Sequence, residues 1–429
     1  MRRTVVVRCA ALVAAATLVA AQAVFAQEMT FSGEVKTGIY MEQEQIGSND
    51  PVAKGGATNN DGDSGSGEGR VRLDFRFVYE NMGLRVRFQV EPASGAQGPF
   101  LPLWSFAYAY GNLFNDQLTV SAGLLGESPW GTGGPKLRSE PETREYISRN
   151  DLSGDPYTAN AGLMGIRFEY KPSFVPGLNV GFVVNQPDMT TIDVQNQTFA
   201  DVLKESVIGA AYEHDYFAVR VGYRFDSEAD TYGNKFNEGG RLTYRAEERI
   251  LDTLITGMKV WLNGDYYGIG CEQRDFTKNG KPVKLGVGEY LVNWLYWQWD
   301  AADFIAQFDL CFASYQSYNN PEFNAAVPER QEYQSLEFLP AFYYKFFDNL
   351  LQAGVKLGFG MEFGSGKTYI NSPYQYISVE PQVRLNIGGN AYVAAVYNFT
   401  DKYVWFDEID RRGEKSKKHS LNIRAVYAF

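Results

Sequence analysis

The sequence predicts an all-β chain, a transmembrane antiparallel up-and-down β-barrel of about eighteen strands, with about sixteen as the alternative count. Three observations predict it. The first 26 residues read as a secretion signal, strict alternation of polar and apolar residues recurs along the rest of the chain, and Leu421 to Phe429 form an alternating run that ends on an aromatic residue.

The signal begins with Arg2 and Arg3, continues through an apolar stretch from Ala10 to Val24, and closes on Val24-Phe25-Ala26, a small-residue cleavage site. Cleavage after Ala26 leaves Gln27 to Phe429 as one barrel domain. A retained anchor would need a longer apolar run, and Arg8 interrupts the start of this one. Cys9 precedes the apolar stretch, so it cannot become the acylated first residue of a lipoprotein. Loss of Arg2, Arg3 and Arg8 takes the formal charge from -11 to -14, which argues against nucleic acid as a partner. Mean hydropathy is -0.31, a value that does not distinguish a soluble domain from a barrel that shows apolar residues to lipid at every second position.

Alternation defines the elements. Arg70 to Tyr79 alternates charged and apolar residues, Asn81-Met82-Gly83 turns, and Leu84 to Glu91 alternates back, which makes a β-hairpin with two different faces. Leu351 to Phe363 puts Leu351, Val355, Leu357, Phe359 and Met361 on one face and Gln352, Lys356 and Glu362 on the other. Tyr376 to Ile387 separates Ile377, Val379, Val383 and Leu385 from Ser378, Glu380, Gln382 and Arg384. The same reading gives strands near 29–41, 70–80, 84–91, 104–110, 118–124, 161–170, 178–186, 205–213, 217–225, 240–248, 258–269, 287–299, 303–315, 333–346, 351–363, 374–387, 391–399 and 421–429. Between them, short connections at 81–83, 214–216, 300–302, 347–350 and 388–390 alternate with long polar ones, as periplasmic turns alternate with external loops. Residues 251–257 read as a turn or a helical stub. Trp104, Phe106, Tyr108 and Tyr110, and again Tyr290, Trp294 and Tyr296, share strand faces and suit interfacial aromatic girdles.

Signal, alternation, the rhythm of short turns and long loops, and Phe429 preceded by Tyr427, Ala425 and Ile423 resemble Gram-negative outer-membrane porins over the whole mature chain. The resemblance is architectural and lacks the acidic loop signature of general porins. It implies a location in the outer membrane of a diderm bacterium and passive diffusion of small hydrophilic solutes. It also implies a homotrimer and a last strand, ending in Tyr427 and Phe429, that is read by the barrel-assembly machinery.

In such a pore the inward residues set selectivity. The period of two turns Lys36, Arg70, Arg72, Arg76, Arg85, Arg87, Arg167, Arg220, Arg224, Arg241 and Arg245 inward, and later in the chain Asp265, Glu289, Asp309, Glu337, Glu362 and Glu380. Separated basic and acidic walls would set up a transverse field, whereas ordinary solvated interior charges would not. The longest connection, 126–160, carries Trp130, Lys136, Arg138, Glu140, Glu142, Arg144 and Glu145. Resemblance to porins implies that this loop bends inward as the constriction. An ordinary external loop is the alternative.

Motifs of chemistry fail on inspection. Gly364-Ser-Gly-Lys-Thr368 lacks the first glycine of a phosphate-binding loop, because Met361 stands there. In Asn60 to Gly65 the calcium-loop spacing puts Arg72 where the closing acid belongs. Only His214 and His419 exist, the first in a short turn and the second in the last external loop, so no Ser-His pair or metal cluster forms. No cofactor, metal site or enzymatic activity is therefore expected. Cys271 and Cys311 are candidates for a disulfide. Three classes remain: a diffusion porin, a substrate-specific channel of sugar type with inward Trp261, Tyr267, Trp297, Tyr333, Tyr343 and Tyr376, and a surface adhesin or ligand-binding barrel.

Overall fold

The structure is a computed structural model and describes residues 28–58, 70–92, 100–125, 130, 164–185, 203, 206–225, 240–269, 274–278, 281–318, 330–365, 376–388, 390–403 and 415–429. The signal segment lies outside the described residues.

The strands are β1 (Glu28–Ile46), β2 (Val52–Thr58), β3 (Arg70–Tyr79), β4 (Met82–Pro92), β5 (Phe100–Leu113), β6 (Leu118–Leu124), β7 (Met164–Tyr170), β8 (Leu178–Asn185), β9 (Val207–Glu213) and β10 (Phe217–Arg224). They continue as β11 (Gly240–Glu248), β12 (Met258–Ile269), β13 (Arg274–Lys278), β14 (Lys281–Asp300), β15 (Phe304–Tyr318), β16 (Arg330–Phe346), β17 (Leu351–Ser365), β18 (Tyr376–Gly388), β19 (Ala391–Tyr403) and β20 (Lys415–Ala428). Eighteen of them form a closed antiparallel ring, each paired with its neighbour in the chain, and β1 closes the ring on β20 from Glu34↔Ala428 to Ile46↔Ser416. Closure matters because an open edge would leave backbone N–H and C=O groups unpaired in hydrocarbon.

The two short strands were not foreseen from the sequence. β2 folds back on the far half of β1 (Gly38↔Thr58 to Glu44↔Val52), where β3 no longer reaches, and β13 makes a tight hairpin with the start of β14. Each prolongs a barrel hairpin beyond its neighbours. β20 also begins earlier than expected, so His419 lies in a strand rather than in the last loop, with its Nδ1 2.6 Å from the Tyr397 hydroxyl.

Burial is inverted relative to a water-soluble domain. On β18 the apolar Val379, Val383 and Leu385 are exposed while Ser378, Glu380 and Gln382 are buried. The same holds for Phe338 and Phe342 against Glu337 on β16, and for Ile423 and Tyr427 against Asn422 and Arg424 on β20. An exterior of exposed Phe, Ile, Leu and Val on every strand pair needs a lipid solvent, and the polar face is left to the lumen. Pro340 and Pro381 lie within these strands, and the β16–β17 and β18–β19 ladders lapse beside them because proline has no N–H to donate.

The short turns expected at 214–216 and 347–350 are in place, and a further one, not singled out from the sequence, joins β5 to β6. Phe114, Asn115 and Asp116 in one, and Phe347, Asp348 and Asn349 in another, hold φ between 51° and 69°, a region that non-glycine residues rarely occupy. The second is braced by Asn386 Nδ2, which donates to the Asn349 carbonyl at 2.6 Å. The stub foreseen at 251–257 is a short helix, α1 (Ile250–Leu254), closed by Gly257 at φ 85°, whose N–H donates to Asp252 Oδ1 at 2.7 Å.

Candidate functional site

The lumen wall is built strand by strand, and its basic part begins on β3 and β4. Arg72 Nε donates to Gln89 Oε1 at 2.7 Å, and Arg87 Nε donates to Asp74 Oδ1 at 2.8 Å. Arg76 sits directly opposite Arg85 in the register. The guanidinium carbons of Arg85 and Arg87 stand 4.9 and 4.6 Å from the centroid of Phe106 on β5, so one aromatic ring serves two cations.

Phe106 and Tyr108 are therefore lumen residues, which corrects their assignment to a girdle. With Leu125, Val183, Val207 and Ala211 they surround Trp130, which is fully buried at 0% exposure. The Trp130 indole N–H donates to Asn179 Oδ1 on β8 at 3.3 Å. Its ring lies over Gly181 and Gly209, which face each other across β8 and β9; a Cβ on Gly209 would come within 2.6 Å of the ring, and one on Gly181 would overlap it. The two glycines make a flat floor that any side chain would fill. Arg167 crosses the neighbouring Tyr108 ring at 5.5 Å and pairs with Glu169 at 2.6 Å.

On β9 to β11 the charges are compensated locally. Glu213 meets Arg220 at 2.9 Å and Arg249 at 3.8 Å, and Glu247 lies 3.5 Å from both Arg245 and Arg249. Arg224 is buried. Across the barrel the wall is aromatic and acidic: Trp261 packs on Tyr296 with centroids 4.6 Å apart, and Gln307 Nε2 donates to the Tyr296 hydroxyl at 3.1 Å. Asp309, Glu337 and Glu380 are buried, and Glu380 pairs with Lys356 at 2.8 Å while accepting from Asn398 Nδ2 at 3.1 Å. Trp294 and Tyr296, also expected in a girdle, belong to this inner face, whereas Trp297, expected inward, stacks on Phe308, whose neighbours Gln307 and Asp309 are the buried ones.

Other residues singled out in the sequence fall differently. The side chains of Arg70, Arg241, Asp265, Glu289, Glu362, Tyr267, Tyr333 and Tyr376 lie outside the described residues, as do Lys136, Arg138, Glu140, Glu142, Arg144, Glu145 and Cys271. Cys311 is buried on β15. Tyr427 and Phe429 stack at 5.8 Å, Phe429 meets Phe31 of β1 at 5.4 Å, and the Phe429 N–H and carbonyl bond the Gly33 backbone at 2.9 and 2.8 Å. Sequence reasoning missed Gly181, Gly209 and Asn179, because a glycine inside a strand gains meaning only when the ring lying on it is known.

A closed ring of eighteen antiparallel strands with an apolar exterior and a charged lumen is a porin-type barrel of the outer membrane of a diderm bacterium. No family model and no curated protein matches the chain. Among solved structures it is similar to the outer-membrane channel DcaP of Acinetobacter baumannii, at 11% identity and a TM-score of 0.50 over 94% of this chain and 97% of that one. It also matches the anion-selective porin from Comamonas acidovorans (11% identity, TM-score 0.46, 93% and 99% covered) and a loop-deletion mutant of OmpT, an outer-membrane protein of Vibrio cholerae (12%, 0.47, 94% and 99%). At such identities the likeness is one of fold.

Proposed function

We propose that this protein is a porin through which small hydrophilic solutes and ions diffuse passively along a charged aqueous lumen, without enzymatic activity. The observation that carries the reading is the closed ring whose charged side chains, from Arg72 on β3 to Arg424 on β20, lie on its inner face. Trp130 belongs to the connection that follows β6, and its burial among lumen residues supports a connection that narrows the lumen. The outer-membrane lipid surrounds the exterior, the assembly machinery reads Tyr427 and Phe429, and a homotrimer follows from resemblance to porins.

Planar-bilayer recording of the refolded mature protein tests this. Stable stepwise conductance is the expected result. A folded, heat-modifiable protein that never conducts would sink the porin reading in favour of a ligand-binding barrel. Deletion of residues 131–148 should enlarge the unit conductance, and an unchanged step would remove those residues from the constriction.

A further inference from the structure

Among the described residues several lumen charges are compensated in place: Asp74 by Arg87, Glu213 and Glu247 by Arg220, Arg245 and Arg249, and Glu34 by Lys36 at 3.6 Å. On the far wall Asp309, Glu337 and Glu380 are buried, and Glu380 is neutralised by Lys356. One pair stands apart. Arg76 and Arg85 are opposite partners on β3 and β4, Arg76 is exposed and Arg85 half-buried, and neither has an ion-pair partner among the described residues. Like charges directly opposite on neighbouring strands repel, and their Cβ atoms stand about 5 Å apart.

The surroundings hold both side chains without neutralising them. Arg85 lies on the face of Phe106, which attracts a cation but leaves the guanidinium edge free to donate. The Tyr110 hydroxyl, itself withdrawn from solvent, lies against the Arg76 side chain and helps to hold it. Glu28, near the end of β1, acts on Arg76 through space without forming an ion pair. Thr30, the β1 partner of Arg76, adds no charge.

We propose that Arg76 and Arg85 form a binding site for a small oxyanion carrying two negative charges. This rests on the diffusion reading above and adds a substrate class to it. Two guanidinium forks a strand apart match a group that offers several oxygens and two charges, a phosphate-type anion or a dicarboxylate. A single chloride satisfies one fork and leaves the repulsion. Binding removes the repulsion the empty site carries, so the site is selective for charge number as well as sign. It lies five residues along β3 from the turn at Asn81, in the half of the lumen that faces the short turns.

The test uses inorganic phosphate with the full mature barrel. In potassium chloride, phosphate at pH 8 should reduce the chloride current saturably, and at pH 5.5, where it carries one charge, the half-blocking concentration should rise about tenfold. Arg76→Gln and Arg85→Gln should each weaken the block about tenfold, Arg85→Lys should recover only part of it, and Lys417→Gln on the outer face should leave it unchanged. Phosphorus NMR line broadening by the detergent-solubilised barrel gives a second readout that needs no open pore. Block or broadening that survives the double Arg76→Gln/Arg85→Gln variant, or none in the wild type, overturns the site. Absence of conductance with broadening intact overturns the diffusion reading and leaves the site standing.

Discussion

Lys356 and Glu380 face each other across β17 and β18 with their charged atoms 2.8 Å apart and each side chain only 1% exposed. Such a pair is strong because it is withdrawn from water, and for the same reason neither partner tolerates loss of the other. Lys356→Met should lower the unfolding free energy in detergent by about 3–5 kcal/mol, since Glu380 is left buried and uncompensated apart from the Asn398 bond. The double variant Lys356→Met/Glu380→Gln should recover most of it. Urea midpoints of the three proteins decide, and equal loss in single and double variants would show that packing, not charge, holds this wall.

Trp130 and Gly209 should behave as one unit. Trp130→Ala removes a fully buried ring and should cost about 3–5 kcal/mol while enlarging the conductance step. Gly209→Val places branched carbons where the indole lies and should give the same phenotype. The two together should cost little more than either alone, because the second change has no contact left to break. Additive losses in the double-mutant cycle would separate the two residues.

Deletion of Phe429 should act on assembly before it acts on stability. The residue contributes one ring contact each to Phe31 and Tyr427 and two backbone bonds to Gly33 at the rim. Cell fractionation should show a several-fold drop in outer-membrane barrel, whereas the refolded protein should lose about 1–2 kcal/mol. Equal abundance of both proteins in the membrane would remove Phe429 from the assembly signal.

Charge selectivity should come from the β3–β4 hairpin and should fade with salt. Arg76→Gln should move the reversal potential toward cations at 0.1 M potassium chloride, and the shift should shrink at 1 M, where screening acts over about 3 Å instead of about 10 Å. A shift of the same size at both salt levels would point to altered pore dimensions instead of electrostatics.

The barrel was legible wherever lipid enforces a period of two. β11 and the alternation of β17 and β18 follow the sequence pattern almost residue for residue, because one misplaced side chain would put a charge in hydrocarbon or an isoleucine in water. β2 and β13 were not legible, since Val52–Thr58 and Arg274–Lys278 lie past the ends of the neighbouring strands and show no strict alternation. Phe106 and Tyr108 were misplaced because girdles and lumen contacts use the same aromatic residues. A register shift between Arg87 and Phe88 also skips one residue between Trp104 and Phe106, so the run does not share a single phase. The socket of Trp130 was invisible because it joins residues from β5, β8 and β9 with Leu125 just past β6, and no local pattern records such a meeting.

The β1–β20 seam is bonded like every other junction of the ring, with Gly33 and Phe429 joined at its lower end. From Glu34 to Ile46 the ladder runs through this seam without interruption. The molecule is in this respect a loop of hairpins cut at one arbitrary place, and a circular permutant that joins residues 429 and 28 through a short linker and opens at the turn 347–350 should close into the same cylinder. Ribosomal synthesis delivers the two seam strands at opposite ends of the process, so until the final hairpin arrives both edges stay sticky. A permutant would move that period of vulnerability to a different pair of strands while leaving the finished object unchanged.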